Sequence, residues 1–306
     1  MFSYSVVIPC YESSLRISDT INSVLSQEVA PKQIILVDDQ SNDYDDLVSV
    51  TSKFKNDTEV IIFKKDEKTN AAHSRNIGGE LVCADLTFFL DSDDVWSSDH
   101  VSNVIDIFSI EACDCVYGSF VVDLGTDAPI QKHSFINLAE FKGNGGDFLF
   151  KLKNDFRTST LAIRTDVFNG INKFDNQAVK HQDWDFFLTL YTNGVKIGYN
   201  SSFDVTINSF GEHRMSRKNN LIGTRYFLNK WEGYIGVENV YALYNSCFFT
   251  AIICNNKEEF NFLKNQVPKT VLNKFLIFTY TISPIACSFS LEKLRLIKRQ
   301  FRNKFF

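Results

Sequence analysis

Three carboxylates fall within four residues at Asp91-Ser92-Asp93-Asp94, directly after the apolar run Leu86-Thr87-Phe88-Phe89-Leu90. Carboxylates packed this closely repel one another. A strand end facing a cleft tolerates them if a cation neutralises the charge. Oxygen-only ligands favour Mg²⁺ or Mn²⁺, and a small number of protein ligands leaves coordination positions open for phosphate oxygens. The same residues also suit a solvated turn that caps the next helix, because acidic side chains favour helix N-termini. From the residues alone, both readings stand.

Other segments could serve the same chemistry. Asp38-Asp39-Gln40-Ser41-Asn42-Asp43 follows another apolar run. An acid there can accept from ribose hydroxyls or a base N–H, as in dinucleotide folds, or can simply form a polar turn. In His73-Ser74-Arg75-Asn76-Ile77-Gly78-Gly79, Arg75 can hold Asp93 or Asp94 in place, meet a phosphate bidentately, or make a surface ion pair. In Gln182-Asp183-Trp184-Asp185, Asp183 is a carboxylate beside an aromatic. That setting can raise a carboxyl pKa, and such a carboxylate can deprotonate a hydroxyl; it also suits a helix cap. The loop Glu212-His213-Arg214-Met215-Ser216-Arg217-Lys218 offers cations and a histidine to a leaving diphosphate, or to solvent.

These groups need a frame, and the first half of the chain supplies one. Residues 5–9, 33–37, 59–63 and 86–90 read as short apolar strands, and 18–27, 45–54 and 70–83 read as helices between them. Gly78 and Gly79 allow the third helix to pack closely. Apolar strands alternating with helices imply a parallel sheet covered on both faces, with ligands beyond the carboxyl ends of the strands. The acidic clusters fall at those ends. Further on, residues 115–122 and 158–163 read as strands, with helices starting at 164 and covering 183–193. Helices at 225–230, 239–254 and 257–265 complete the pattern. A boundary near residue 220 divides a nucleotide-binding region, 1–220, from a helical region, 221–306.

Composition excludes several classes. The chain has 306 residues, 44% hydrophobic and 23% charged, as expected of a globular protein. A net charge of −5 argues against nucleic acid as a partner. Seven cysteines without zinc spacing fit a reducing cytoplasm. The chain enters a strand at once, which leaves no room for a signal peptide. The nearest approach to a spanning segment, residues 275–289, is interrupted by Thr279, Thr281, Ser283, Pro284 and Ser288. No Gly-x-Gly-x-x-Gly loop follows the first strand, which excludes a nicotinamide dehydrogenase.

The order of the motifs is more specific than any one of them. Val6-Val7-Ile8-Pro9-Cys10-Tyr11-Glu12, Leu36-Val37-Asp38-Asp39, Ser74-Arg75-Asn76-Ile77-Gly78 and Phe89-Leu90-Asp91-Ser92-Asp93-Asp94 together resemble the large inverting family 2 of glycosyltransferases. The resemblance is close over about the first 100 residues and weaker through Thr158–Thr160, Asn172-Lys173-Phe174-Asp175 and Gln182-Asp183 to His213. It implies a GT-A fold, an α/β arrangement with a mostly parallel central sheet, here followed by a C-terminal helical extension. It implies a nucleotide-sugar donor, commonly a UDP-sugar, with Mn²⁺ or Mg²⁺ as cofactor. By the same resemblance Pro9, Tyr11 and Glu12 line the nucleotide pocket, Asp39 binds the base, and Arg75 lies near the diphosphate. Asp91 and Ser92 belong to the donor site, Asp93 holds the cation, His213 is a metal or phosphate ligand, and Asp183 is the catalytic base.

Two positions depart from the family pattern. Its usual Glu-Asp pair is Gln182-Asp183, and its frequent double glycine is Asn172-Lys173. The first keeps open a catalytically impaired, nucleotide-sugar-binding homologue. Asp91-Ser92-Asp93-Asp94-Val95 also matches the Asp-x-Asp-x-Val pattern of haloacid-dehalogenase-like phosphatases, although that motif normally ends a first strand. Chains resembling this one extend glycans or lipid-linked oligosaccharides in O-antigen or capsule synthesis. Leu291, Leu294, Ile297, Phe301 and Phe305 follow helical spacing among six cations. Such a tail can lie on the inner leaflet, placing a cytoplasmic protein peripherally at the inner membrane. The same pattern also suits a packed terminal helix.

Overall fold

The computed structural model describes residues 2–54, 58–125, 130–209, 221–288 and 290–292. The chain divides into two compact units, Met1–Glu212 and His213–Phe306.

In the first unit, β1 (Tyr4–Cys10), β2 (Gln33–Asp38), β3 (Glu59–Lys64) and β4 (Leu86–Phe89) alternate with α1 (Ile17–Leu25), α2 (Tyr44–Thr51) and α3 (Ala71–Glu80). Crossover helices force the strands to run parallel. Val6 of β1 lies opposite Ile34 of β2 and Phe88 of β4. β1, β2 and β4 are buried along their whole length, which explains their unbroken apolar runs. β3 is the half-exposed edge.

α3 begins where the Asn70 side chain accepts from the His73 N–H. Its two glycines are needed for contact. A Cβ on Gly78 would lie 2.3 Å from Val7 Cγ1, and one on Gly79 2.2 Å from Phe168 Cε1.

Beyond β4 come β5 (Val95–Trp96), α4 (His100–Glu111), β6 (Cys115–Gly118), β7 (Phe120–Asp123), β8 (Gln131–His133), β9 (Ala162–Arg164), α5 (Thr165–Gly170), α6 (Gln182–Thr192), β10 (Ile197–Asn200) and β11 (Val205–Asn208). The central sheet has seven strands in the order β10-β6-β9-β4-β1-β2-β3. Among the described residues of this sheet only β9 runs antiparallel, between β4 and β6. A second sheet has the order β5-β11-β7-β8.

Two expected strands are corrected. Residues 115–122 form two strands, because β6 joins the central sheet and β7 the small one. The chain changes sheet at Ser119, whose N–H donates to Asn200 O at 2.9 Å. Residues 158–163 do not form one strand either. Thr158–Thr160 is a 3₁₀ turn, and only then does β9 begin. The Thr160 hydroxyl donates to Arg157 O at 2.9 Å, local bonding that competes with a ladder.

The second unit is helical: α7 (Leu221–Ile235), α8 (Val237–Ile253), α9 (Lys257–Leu263) and α10 (Val271–Ile282). α7 is longer than the 225–230 expected and stops at Gly236, at φ 84°. The buried Phe248 stacks on Phe260 and Tyr280 packs tilted against Phe260, with ring centroids 5.7 and 4.3 Å apart. α10 has 12 residues, about 18 Å of helix, short of the ~30 Å bilayer core. Among the described residues no helix is long and apolar enough to cross a membrane.

Candidate active site

The parallel register brings three strand ends together, with Cys10 opposite Asp38 and Val7 opposite Phe89. The segments at 11–12, 39–43 and 91–94 therefore emerge at one edge of the sheet, where ligands bind in such folds.

At the β1–β2 end, Pro9 is buried in the sheet opposite Val37. Tyr11 is half-exposed, with Lys68 Nζ 3.7 Å from its ring centroid. Glu12, at φ 50°, braces the loop after β2: its Oε1 accepts from Asn42 Nδ2 at 2.7 Å, and its N–H donates to Ser41 Oγ at 3.1 Å. Asp39 is buried, and its Oδ1 accepts from Lys65 Nζ at 2.6 Å and the Thr69 N–H at 2.8 Å. Lys65 is buried as well, so the pair fixes the orientation of Asp39.

The acidic motif separates into different roles. Asp94 turns inward: Oδ2 accepts from Ser159 Oγ at 2.6 Å, and Oδ1 from the Asn208 N–H at 3.0 Å. Burial, then Asp91 and Asp93, pushes its pKa well above the ordinary carboxylate range. Asp94 is thus a brace rather than a ligand. The Ser92 carbonyl accepts from Thr20 Oγ1 at 3.1 Å. Asp91 and Asp93 remain partly exposed, and Arg16 Nη1 lies 3.6 Å from Asp93 Oδ2. Among the described residues no three His, Cys, Asp or Glu side chains form a metal cage. One or two carboxylates with positions left for diphosphate oxygens suit Mg²⁺ or Mn²⁺. The donor set here fits such a cation. His213 lies outside the described residues.

Arg75 does not reach Asp93 or Asp94 as one sequence reading had it. Its Nη2 donates to Asp91 Oδ1 at 2.6 Å and its Nη1 to Gln182 Oε1 at 3.0 Å. Gln182 Nε2 donates to Ala178 O at 2.7 Å, which fixes the sense of the amide. Thus α3 ties the acidic motif to the first turn of α6.

Asp183 follows on that turn, and its Oδ1 accepts from the Thr158 hydroxyl. Burial pushes its pKa up, while Arg75 and then Arg157 pull it down. Trp184 points elsewhere, stacked on His181 at 4.5 Å between centroids and donating to Asp155 Oδ1 at 3.2 Å. Burial lowers the His181 pKa to about 3, so that ring is neutral near pH 7. Lys173, at the departed double glycine, pairs with Glu80 at 2.6 Å.

The buried Arg75 therefore links the acidic strand end to the helix turn that bears Asp183. The sequence model of Glycosyl transferase family 2 matches residues 5–178. The chain belongs to glycosyl transferase family 2. The phosphatase reading lapses. Within the family, the chain is 28% identical over 200 residues to the amylovoran biosynthesis glycosyltransferase AmsB of Erwinia amylovora, covering 63% of this chain and 65% of that one. It is 31% identical over 196 residues to the UDP-Glc:α-D-GlcNAc-diphosphoundecaprenol β-1,3-glucosyltransferase WfaP of Escherichia coli, covering 63% and 71%. The chain thus spans about two thirds of these relatives' length. The crystal structure of S. aureus TarS 1–349 with UDP-GlcNAc matches with a TM-score of 0.65 at 16% identity, over 95% of this chain and 90% of that one. The fold of this family 2 chain is accordingly GT-A.

The sequence of this family 2 member assigns no site role to Lys65 or Asn208, and Thr158 and Ser159 enter it only through the family resemblance. Three consecutive hydroxyls at Thr158–Thr160 were the available signal, since such residues favour turns over strand interiors.

Proposed function

We propose that this chain is an inverting glycosyltransferase. It moves a sugar from a UDP-sugar to a hydroxyl of a glycan or lipid-linked oligosaccharide, in O-antigen or capsule synthesis. The observation that carries the reading is Arg75, which joins Asp91 on the donor side to the helix turn bearing Asp183.

In this reading Tyr11 stacks near the base, with Pro9 and Glu12 shaping the pocket. Asp39, oriented by Lys65, accepts from the base. Asp91 and Ser92 face the ribose and diphosphate, and Arg75 offsets diphosphate charge. Asp93 and His213 would hold Mn²⁺ or Mg²⁺, whose charge would further stabilise the departing diphosphate. Asp183 takes the acceptor proton. The acceptor oxygen then bonds to the anomeric carbon as the carbon–phosphate-oxygen bond breaks. The electron pair leaves with the nucleoside diphosphate, and the carbon inverts.

WfaP is named for a UDP-sugar donor and a lipid-linked acceptor, and the TarS crystal contains UDP-GlcNAc. Both support a UDP-sugar here. A lipid-linked acceptor supports a place at the cytoplasmic face of the inner membrane, in contact with the inner leaflet through the basic tail. The test is thermal stabilisation by a panel of UDP-, GDP- and dTDP-sugars with Mn²⁺. A UDP-sugar is expected to raise Tm most. No response to any UDP-sugar, with a response to another nucleotide, overturns the donor assignment.

A further inference from the structure

The helical unit carries a strip of large apolar side chains that face solvent. Along α10, Val271, Phe275, Phe278 and Ile282 recur at helical spacing and are 87%, 60%, 64% and 66% exposed. Leu272 widens the strip, at 55% exposed. The opposite side of α10 is the packed one: Asn273, Leu276 and Tyr280 are buried. Such spacing places the exposed residues on one face, and contiguous exposed apolar surface of this kind marks an interaction site.

The charge carried by this stretch of the sequence identifies the occupant. From residue 260 to the end the chain has nine Lys and Arg against one acid, Glu292, although the whole chain carries −5. Lys269 and Lys274 are exposed beside the strip. Two copies meeting through this face would bring cation against cation, which is unfavourable. An anionic surface would attract the same cations. With 12 residues α10 cannot span a bilayer, but an apolar strip flanked by lysines suits a helix lying in the interface.

We propose that α10 is a membrane-docking face, its apolar strip entering the surface of an anionic bilayer while Lys269 and Lys274 meet the headgroups. This deepens the peripheral contact proposed above, adding a helix face to the tail, and does not depend on the sugar transferred.

The test is flotation of the full chain with phosphatidylcholine vesicles, with and without phosphatidylglycerol. Binding is expected only to the anionic vesicles and is expected to weaken with salt. Phe275→Ser with Phe278→Ser should lower vesicle affinity at least about tenfold. Val271→Ser with Ile282→Ser provides a second pair should the first not fold, and Tm checks each. Unchanged flotation in a folded double variant overturns the proposal. So does a wild-type dimer that the double variant abolishes without changing flotation, since a second copy then covers the strip. If deletion of residues 291–306 strengthens flotation, the tail covers the strip and the proposal also fails. Normal flotation without any sugar transfer would instead count against the proposed function alone.

Discussion

Arg75 Nη1 donates to Gln182 Oε1 at 3.0 Å, across 107 residues of sequence. The family's usual acid is replaced here, and the neighbours explain why an amide fits. Gln182 must donate to the Ala178 carbonyl with one end and accept from Arg75 with the other. A carboxylate would set an oxygen against that carbonyl. Gln182 therefore holds Arg75 in place through an amide that a carboxylate would not match.

Gln182→Glu should shift the pH profile of this site. Asp183 acts as a base only when ionised. Burial raises its pKa, and Arg75 is the first of the charges that lower it again, followed by Arg157; Asp91 opposes them. Activity should therefore fall as pH drops through a value higher than that of a free aspartate. A carboxylate at 182 would offset Arg75 and move that acid limb to still higher pH. The measurement is kcat/KM against pH, and an unmoved limb would count against the coupling.

The buried pair of Lys65 and Asp39 gives a stability prediction. Lys65→Met leaves Asp39 buried without its cation, and breaking such a pair costs about 3–5 kcal/mol. Denaturant unfolding should show the loss. Weaker UDP binding should accompany it, because Asp39 loses its orientation.

Gly78→Ala tests the packing of α3. The new methyl would lie 2.3 Å from Val7 Cγ1, on a β-branched side chain held within the sheet. Overpacking of this kind costs about 1–3 kcal/mol. An unchanged unfolding midpoint would show that α3 can shift away from β1.

Much of this was legible in the sequence for a physical reason. Strands buried on both faces need unbroken apolar runs, so β1, β2 and β4 stand out, and their parallel order follows from the helices between them. The turn at Thr158–Thr160 and the sheet change at Ser119 were not legible, because tertiary partners decide them. The acidic motif shows the same limit. Its three carboxylates are visible in the sequence, but the inward turn of Asp94 depends on Ser159 and Asn208, 65 and 114 residues away. Likewise the sequence offers Asp93 or Asp94 as the partner of Arg75, and only the folded chain selects Asp91.

Cation removal tests the reading of Asp93. Chelation with EDTA should stop transfer, and Mn²⁺ or Mg²⁺ should restore it. Asp93→Asn should weaken that rescue while leaving Asp94 and its bonds to Ser159 and Asn208 in place. Full activity in EDTA would remove the cation from the account.

The central claim is that Asp183 takes the acceptor proton. The most direct measurement is the transfer rate of Asp183→Asn, alongside the thermal shift that the UDP-sugar produces in the same variant. Transfer should fall roughly 10²–10⁴-fold, the usual contribution of a general base, while the thermal shift stays close to that of the unaltered protein. Near-normal turnover in Asp183→Asn would contradict the claim.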